Sequence, residues 1–201
     1  MRMLIFFNMM RNALFILGEL SDLDIDWLVV SGELQRIESG FVLMKEGAHT
    51  DFLYLLLDGQ LSVHTQHMPT QQISCLYPGE FVGEISFLDL RPLSATVTAQ
   101  RKSALWAVPR KKIIDKLTQD IAFAARFYRA IGILLAYRLR NTNAKMATLS
   151  SRLASSSLAV ESPQESSGLL ESHVLDAHVL DAVSLAGQRF DFLVKKFLGR
   201  S

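Results

Sequence analysis

The sequence predicts an α+β domain. Its centre is an antiparallel β-roll, jelly-roll-like, with helices before it, a short helix within it, a long helix behind it and an extra helix at the end. Three observations carry this. Short apolar runs punctuated by Gly40, Gly47, Gly59, Gly79 and Gly83 fill residues 34–108, the spacing of an all-β roll. Helical periodicity holds on both sides of that stretch. A hydrophobic fraction of 49% is enough to build a core and excludes a disordered chain.

Residues 1–33 read as a helical segment, with Asp22, Asp24 and Asp26 at a helix start, where carboxylates favour the helix dipole. Its first seventeen residues are apolar but broken by Arg2, Asn8, Arg11 and Asn12, so no run reaches the roughly 18 residues of a membrane span. Gly18-Glu19-Leu20 is a poor signal-peptidase site, and the stretch reads as a helix packed on the domain. Strands are expected at Ile37–Met44, Ile73–Leu76, Ala95–Gln100 and Ala104–Val108. A hairpin is expected at DFLYLLLDGQLSVH, turning on Asp58-Gly59, because Asp-Gly suits a tight two-residue turn.

From Arg110 the period is helical again: a short amphipathic piece to Leu117, then a long helix over Ile121–Asn141 with apolar residues on more than one face. The roll covers one face, and a second copy of the chain is the expected cover for another, giving a homodimer through the 121–141 helix. The roll and long helix together make a domain at 34–145. A serine-rich linker follows at 146–170, and a last amphipathic helix at 171–201.

Charge and chemistry exclude several functions. Lys and Arg number 21 against 20 Asp and Glu, so nothing pulls the whole chain to nucleic acid or anionic lipid. Residues 149–201 are serine-rich, then a single helix, and hold six acidic against five basic groups, unlike a groove-reading module; no DNA partner is expected. His64 and His67 are an odd number apart and cannot share a strand face, so no metal is expected. No nucleophile stands with a base, so the chain is not read as an enzyme. Cys75 is the one cysteine; it allows no intrachain disulfide and fits a reducing, cytoplasmic location.

The informative stretch is PGEFVGEISFLDLRPLSATVTA, Pro78 to Ala99. Gly83 opens a short helix, Glu84 to Leu90, which Arg91-Pro92 ends. Free N–H groups of Gly83, Glu84, Ile85 and Ser86 suit a phosphate, and the Glu84 carboxylate suits a hydroxyl. Val82-Gly83-Glu84, the spaced Pro92-Leu93-Ser94-Ala95-Thr96-Val97, Gly40, Glu46-Gly47 and Tyr54-Leu-Leu-Leu-Asp-Gly-Gln-Leu together resemble the cyclic-nucleotide-binding domains, in particular the bacterial CRP/FNR-like sensors, over roughly residues 10 to 145. Residues 149–201 depart from many bacterial relatives, which carry a helix-turn-helix there.

The resemblance implies a ligand such as cAMP or cGMP or a related anion, with no other cofactor, and a signal sent through the long helix to a protein partner. It places the family's phosphate-binding arginine at Leu93, where an aliphatic side chain cannot bond a phosphate. Losing hydrogen bonds of about 1.5–3 kcal/mol each weakens binding by a factor on the order of 10 to 100 or more. Arg91, two residues earlier, is the candidate substitute, with Ser94 and Ala95 offering a hydroxyl and an N–H to phosphate oxygens. Thr142 and Asn143 fall where some bacterial members read the base. The alternatives left open are a degenerate scaffold for protein–protein interaction that binds no nucleotide and, further off, a transcription regulator.

Overall fold

The computed structural model describes residues 16–67, 72–156 and 177–199. The expectations for residues 1–15 and for most of the linker and the start of the last helix, 157–176, lie outside the described residues. Residues 16–19 form a helical turn, followed by α1 (Asp22–Ser31). Ser21 and Asp24 close a reciprocal capping box at its start.

The strands are β1 (Glu33–Ile37), β2 (Val42–Met44), β3 (Phe52–His64), β4 (Ser74–Leu76), β5 (Phe81–Val82) and β6 (Thr96–Pro109), all paired antiparallel in one sheet. Helix α2 (Glu84–Asp89) sits between β5 and β6. Then come α3 (Arg110–Gln119), α4 (Ile121–Ser156) and α5 (Ala177–Leu198). Strands β3 and β6 run the length of the sheet. At one end they pair with β1 and β5, at the other with β2 and β4, and so the sheet rolls on itself.

Three sequence expectations change. The Asp58-Gly59 hairpin is absent, and both residues lie inside β3. A two-residue type I′ turn needs positive φ at both central positions. Gly59 has φ 107°, but among the described residues Leu90 is the one non-glycine with positive φ, so Asp58 does not supply it. The glycine instead makes an irregularity at which the β3–β6 register slips. The slip moves the roll-facing set of β3 from Tyr54 and Leu56 to Leu61, so even positions give way to odd ones and the apolar lining continues. Likewise, Ala95–Gln100 and Ala104–Val108 are one strand, β6, and Ile37–Met44 is broken into β1 and β2 around Gly40 at φ 84°. Finally, α4 runs on to Ser156, so residues 146–156 are helix rather than linker.

Two apolar cores follow from strand alternation. The inner one, within the roll, holds Met44, Leu56, Leu61, Leu76, Leu93 and Val97. The outer one lies between the sheet and the helices, where Leu53, Leu55 and Trp106 meet Ile25, Leu28, Phe123, Phe127 and Leu134. Helix α5 packs in cis on this outer core through Ala186, Phe190 and Leu193, with Phe197 5.6 Å from the Trp106 ring. Arg189 anchors it, donating to the carbonyls of Leu17 and Leu20 and to Asp22. A cation at carbonyls that end a helix offsets their unpaired acceptors. A second buried charge is treated in the same way: Arg126 of α4 donates to both oxygens of Asp24 at 2.6 and 3.0 Å. Burial raises the Asp24 carboxyl, but the bonds from Arg126 and Ser21 outweigh it and hold its pKa below the usual value.

The role of Gly59 is testable. An added Cβ there would lie 2.1 Å from Ser103 Oγ, besides the positive φ, whereas at Gly40 nothing lies within 4 Å. Gly59→Ala is expected to lower stability by about 2–4 kcal/mol and Gly40→Ala by about 1 kcal/mol, measured by urea denaturation. Equal losses at the two sites would show that the Ser103 contact is unimportant.

Candidate functional site

Strand β5 delivers the chain to Gly83, whose φ of 95° turns it into α2. No other residue fits comfortably: a Cβ here would lie 2.8 Å from Met44 Cε and 3.3 Å from the Phe52 carbonyl oxygen. The turn points Glu84 inward, where its side chain is 2% exposed. An unpaired carboxylate at such depth is unstable. Its partner comes from 54 residues away: Arg138 of α4 donates from Nη1 to Glu84 Oε1 and from Nη2 to the Phe81 carbonyl at 2.8 Å. Burial pushes the Glu84 carboxyl up. The charge and hydrogen bond of Arg138 and the backbone N–H groups of Glu84 and Gly83 pull it partly back, and the net direction is upward.

Beside this pair lies a cavity of about 120 Å³, open on one side. Of the sequence candidates, Gly83, Glu84, Ile85, Ser86, Ser94 and Ala95 all line it. The Ser86 hydroxyl is turned back on its own helix, donating to the Gly83 carbonyl at 3.1 Å. Arg91, Thr142 and Asn143 do not line it. Arg91 is exposed, and its backbone N–H donates to Asp89 Oδ1 at 3.0 Å. Thr142 and Asn143 are exposed on α4, and the Thr142 hydroxyl donates to the Arg138 carbonyl one turn back.

Leu93 is 7% exposed and belongs to the inner core with Met44, Leu76 and Val97, all of which line the cavity. Its backbone is fixed on both sides, the N–H donating to Ala48 O and the carbonyl accepting from Gly47 N, each at 2.8 Å. The end of the cavity where the family resemblance implies an arginine is therefore apolar.

Arg138 is the residue that sequence reasoning missed. Its signal was periodicity: Phe127, Ile131 and Leu134 are buried at steps of four and three, and Arg138 continues that stripe four residues on. An arginine on the buried face of a helix needs a buried acceptor. A second link joins α2 to α4, since the Phe87 ring meets Phe127 edge-on at 5.7 Å. Arg110 lies over Phe87 at 5.2 Å and donates to its carbonyl, tying the start of α3 to the same point. Among the described residues no group of three His, Cys, Asp or Glu is placed to hold a metal, and no helix is long and apolar enough to cross a membrane.

The roll, the glycine turn and the buried Glu84 agree with what comparison finds: residues 34–120 match the family model described as the cyclic nucleotide-binding domain. This stretch is similar to the cyclic nucleotide-binding domains. A solved cyclic nucleotide-binding domain from Methylobacillus flagellatus superposes with a TM-score of 0.61 at 20% identity, covering 71% of this chain and 84% of that one. The N-terminal domain of a transcriptional regulator from Streptomyces coelicolor gives a TM-score of 0.51 at 28% identity, covering 63% and 86%. The cGMP-dependent protein kinase of Plasmodium berghei is 31% identical over 78 residues, 39% of this chain but only 9% of the kinase. The chain thus spans under a tenth of that relative's length, and the likeness is to a module within it.

Removing Arg138 tests the electrostatics of the domain. Glu84 has a folded pKa above its unfolded one, so its ionisation works against folding as pH rises, and Arg138 limits this. Arg138→Gln is expected to cost about 3 kcal/mol at pH 7 and much less at pH 4, where Glu84 is protonated, read from denaturation at both pH values. A deficit independent of pH would contradict the pairing.

Proposed function

We propose that the chain is a regulatory, non-catalytic ligand sensor, taking a cyclic nucleotide or a related small anion into the roll and passing the event along α4 to a partner. The observation that supports it most is the Arg138–Glu84 pair. It places a charge from α4 at the wall of the cavity and makes α4 part of the site. An anion that draws on Arg138 alters its bonds to Glu84 and the Phe81 carbonyl, which tie the cavity wall to α4, and the Phe87–Phe127 contact lies at the base of the same helix. A ligand that interacts differently with two placements of α4 shifts their populations.

The partner in this reading is a second copy. Ala125, Tyr128, Gly132, Leu135, Leu139 and Met146 follow alternating steps of three and four residues along α4, with Thr142 filling the one gap; Leu135 packs in part on the outer core and the others are exposed. Tyr128, Leu139 and Met146 are 51%, 62% and 61% exposed. That is the seam of a two-stranded coiled coil. Sedimentation at micromolar concentration is expected to give a dimer that Leu139→Lys converts to monomer; a wild-type monomer would count against it. The proposed location is the cytoplasm.

A second reading, a scaffold that has lost its nucleotide, is favoured by one observation: Leu93 is built into the inner core. Calorimetric titration separates the two. With cAMP and cGMP the wild type is expected to bind weakly, and Leu93→Arg to bind on the order of 10 to 100 times more tightly. Binding by Leu93→Arg alone supports the scaffold. No heat from either protein overturns the nucleotide reading.

A further inference from the structure

We infer that the ligand best suited to this cavity is a compact, largely apolar monocarboxylate, about one aromatic ring in size, whose carboxylate meets Arg138 while its body lies against Met44, Leu76, Leu93 and Val97. The inference rests on the sensor reading of the same cavity and names the class of ligand within it.

Size comes first. The cavity holds about 120 Å³. An apolar protein cavity of roughly 150 Å³ takes up benzene, so this space accepts a single ring and little more. A cyclic nucleotide brings a fused bicyclic base, a sugar and a phosphate, exceeds that volume and would extend out through the open side, so it is held less well. Lining chemistry comes second. Met44, Val63, Leu76, Leu93 and Val97 make much of the lining apolar, which suits a sugar phosphate poorly. Arg138, 27% exposed and also in the lining, uses two of its N–H groups on Glu84 and Phe81, and a guanidinium has five. The remaining donors can take one carboxylate, in the planar geometry that arginine favours. Charge comes third. Glu84 and Arg138 are the titratable groups in the lining, and together they are neutral. A single negative charge is tolerable beside such a pair. The two or more charges of an open-chain nucleotide are not, because each further charge would be buried without a partner.

Together these features select for an apolar body with one planar anionic end. Benzoate is the probe, benzamide its neutral twin of nearly the same shape, and cAMP the reference. In two-dimensional NMR of the full chain, benzoate is expected to shift the amides of Ile85, Leu93 and Ala95 in a saturable way, with benzamide at least tenfold weaker. Arg138→Gln should weaken benzoate at least tenfold. Glu84→Gln, which frees the guanidinium from its charged partner, should bind benzoate as well as the wild type or better. If Arg138→Gln does not fold, the benzoate–benzamide ratio still decides, since it needs no variant. Equal shifts by benzoate and benzamide would overturn the inference, as would unchanged benzoate binding in folded Arg138→Gln. Saturable shifts from cAMP with none from benzoate would overturn this ligand class and leave the sensor reading intact, whereas no response to either would overturn both.

Discussion

A buried carboxylate that must be neutralised organises this molecule. Glu84 is carried into the interior by a left-handed glycine turn, and among the described residues the charge that meets it there is Arg138, 54 residues away and on a different layer. Neither group is at ease alone, because desolvation disfavours each more than a surface contact could offset. The pair therefore fixes where α4 crosses the roll. The same guanidinium also donates to the Phe81 carbonyl, which ties α4 to the strand that leads into the turn.

Around this junction the fold separates two kinds of packing. Inside the roll, Leu93 joins Met44, Leu76 and Val97, and these four line one cavity together with Glu84 and Arg138. Outside it, Phe123 and Phe127 stack at 5.5 Å, Trp27 meets Phe123, and α5 closes the flank through Phe190 and Leu193. The terminal helix is thus part of the same core as the N-terminal helices, held there by an arginine on helix-end carbonyls. Tyr128, Leu139 and Met146 of α4 are left exposed. The same helix accordingly meets both the cavity, through Arg138, and a packed core.

How much of this was legible in the sequence depends on the range of the interaction. Local features read well. Gly83 before a short helix, β4 at Ser74–Leu76 and the helix from Arg110 each follow from nearby residues, and six of the nine candidate residues surround one cavity. Asp58-Gly59 misled, because positive φ serves a tight turn and a mid-strand irregularity equally well; which of them forms depends on a strand more than forty residues later. The reach of α4 past Asn141 was hidden by serines, which lower helix propensity without forbidding it. Arg138 was hidden for a different reason. Its partner is 54 residues distant, and only the continuation of a buried stripe hinted that it faced inward. Arg91, near in sequence, drew attention that properly belonged to a residue near in space.

The claim on which all of this rests is that Glu84 and Arg138 act as one unit. A double-mutant cycle measures that directly: Glu84→Gln, Arg138→Gln and the double variant, each unfolded by urea at pH 7. The account predicts that the double variant is more stable than the sum of the single losses allows, by about 1.5–3 kcal/mol, with Arg138→Gln alone the least stable of the three. Additive losses, within about 0.5 kcal/mol, would contradict it.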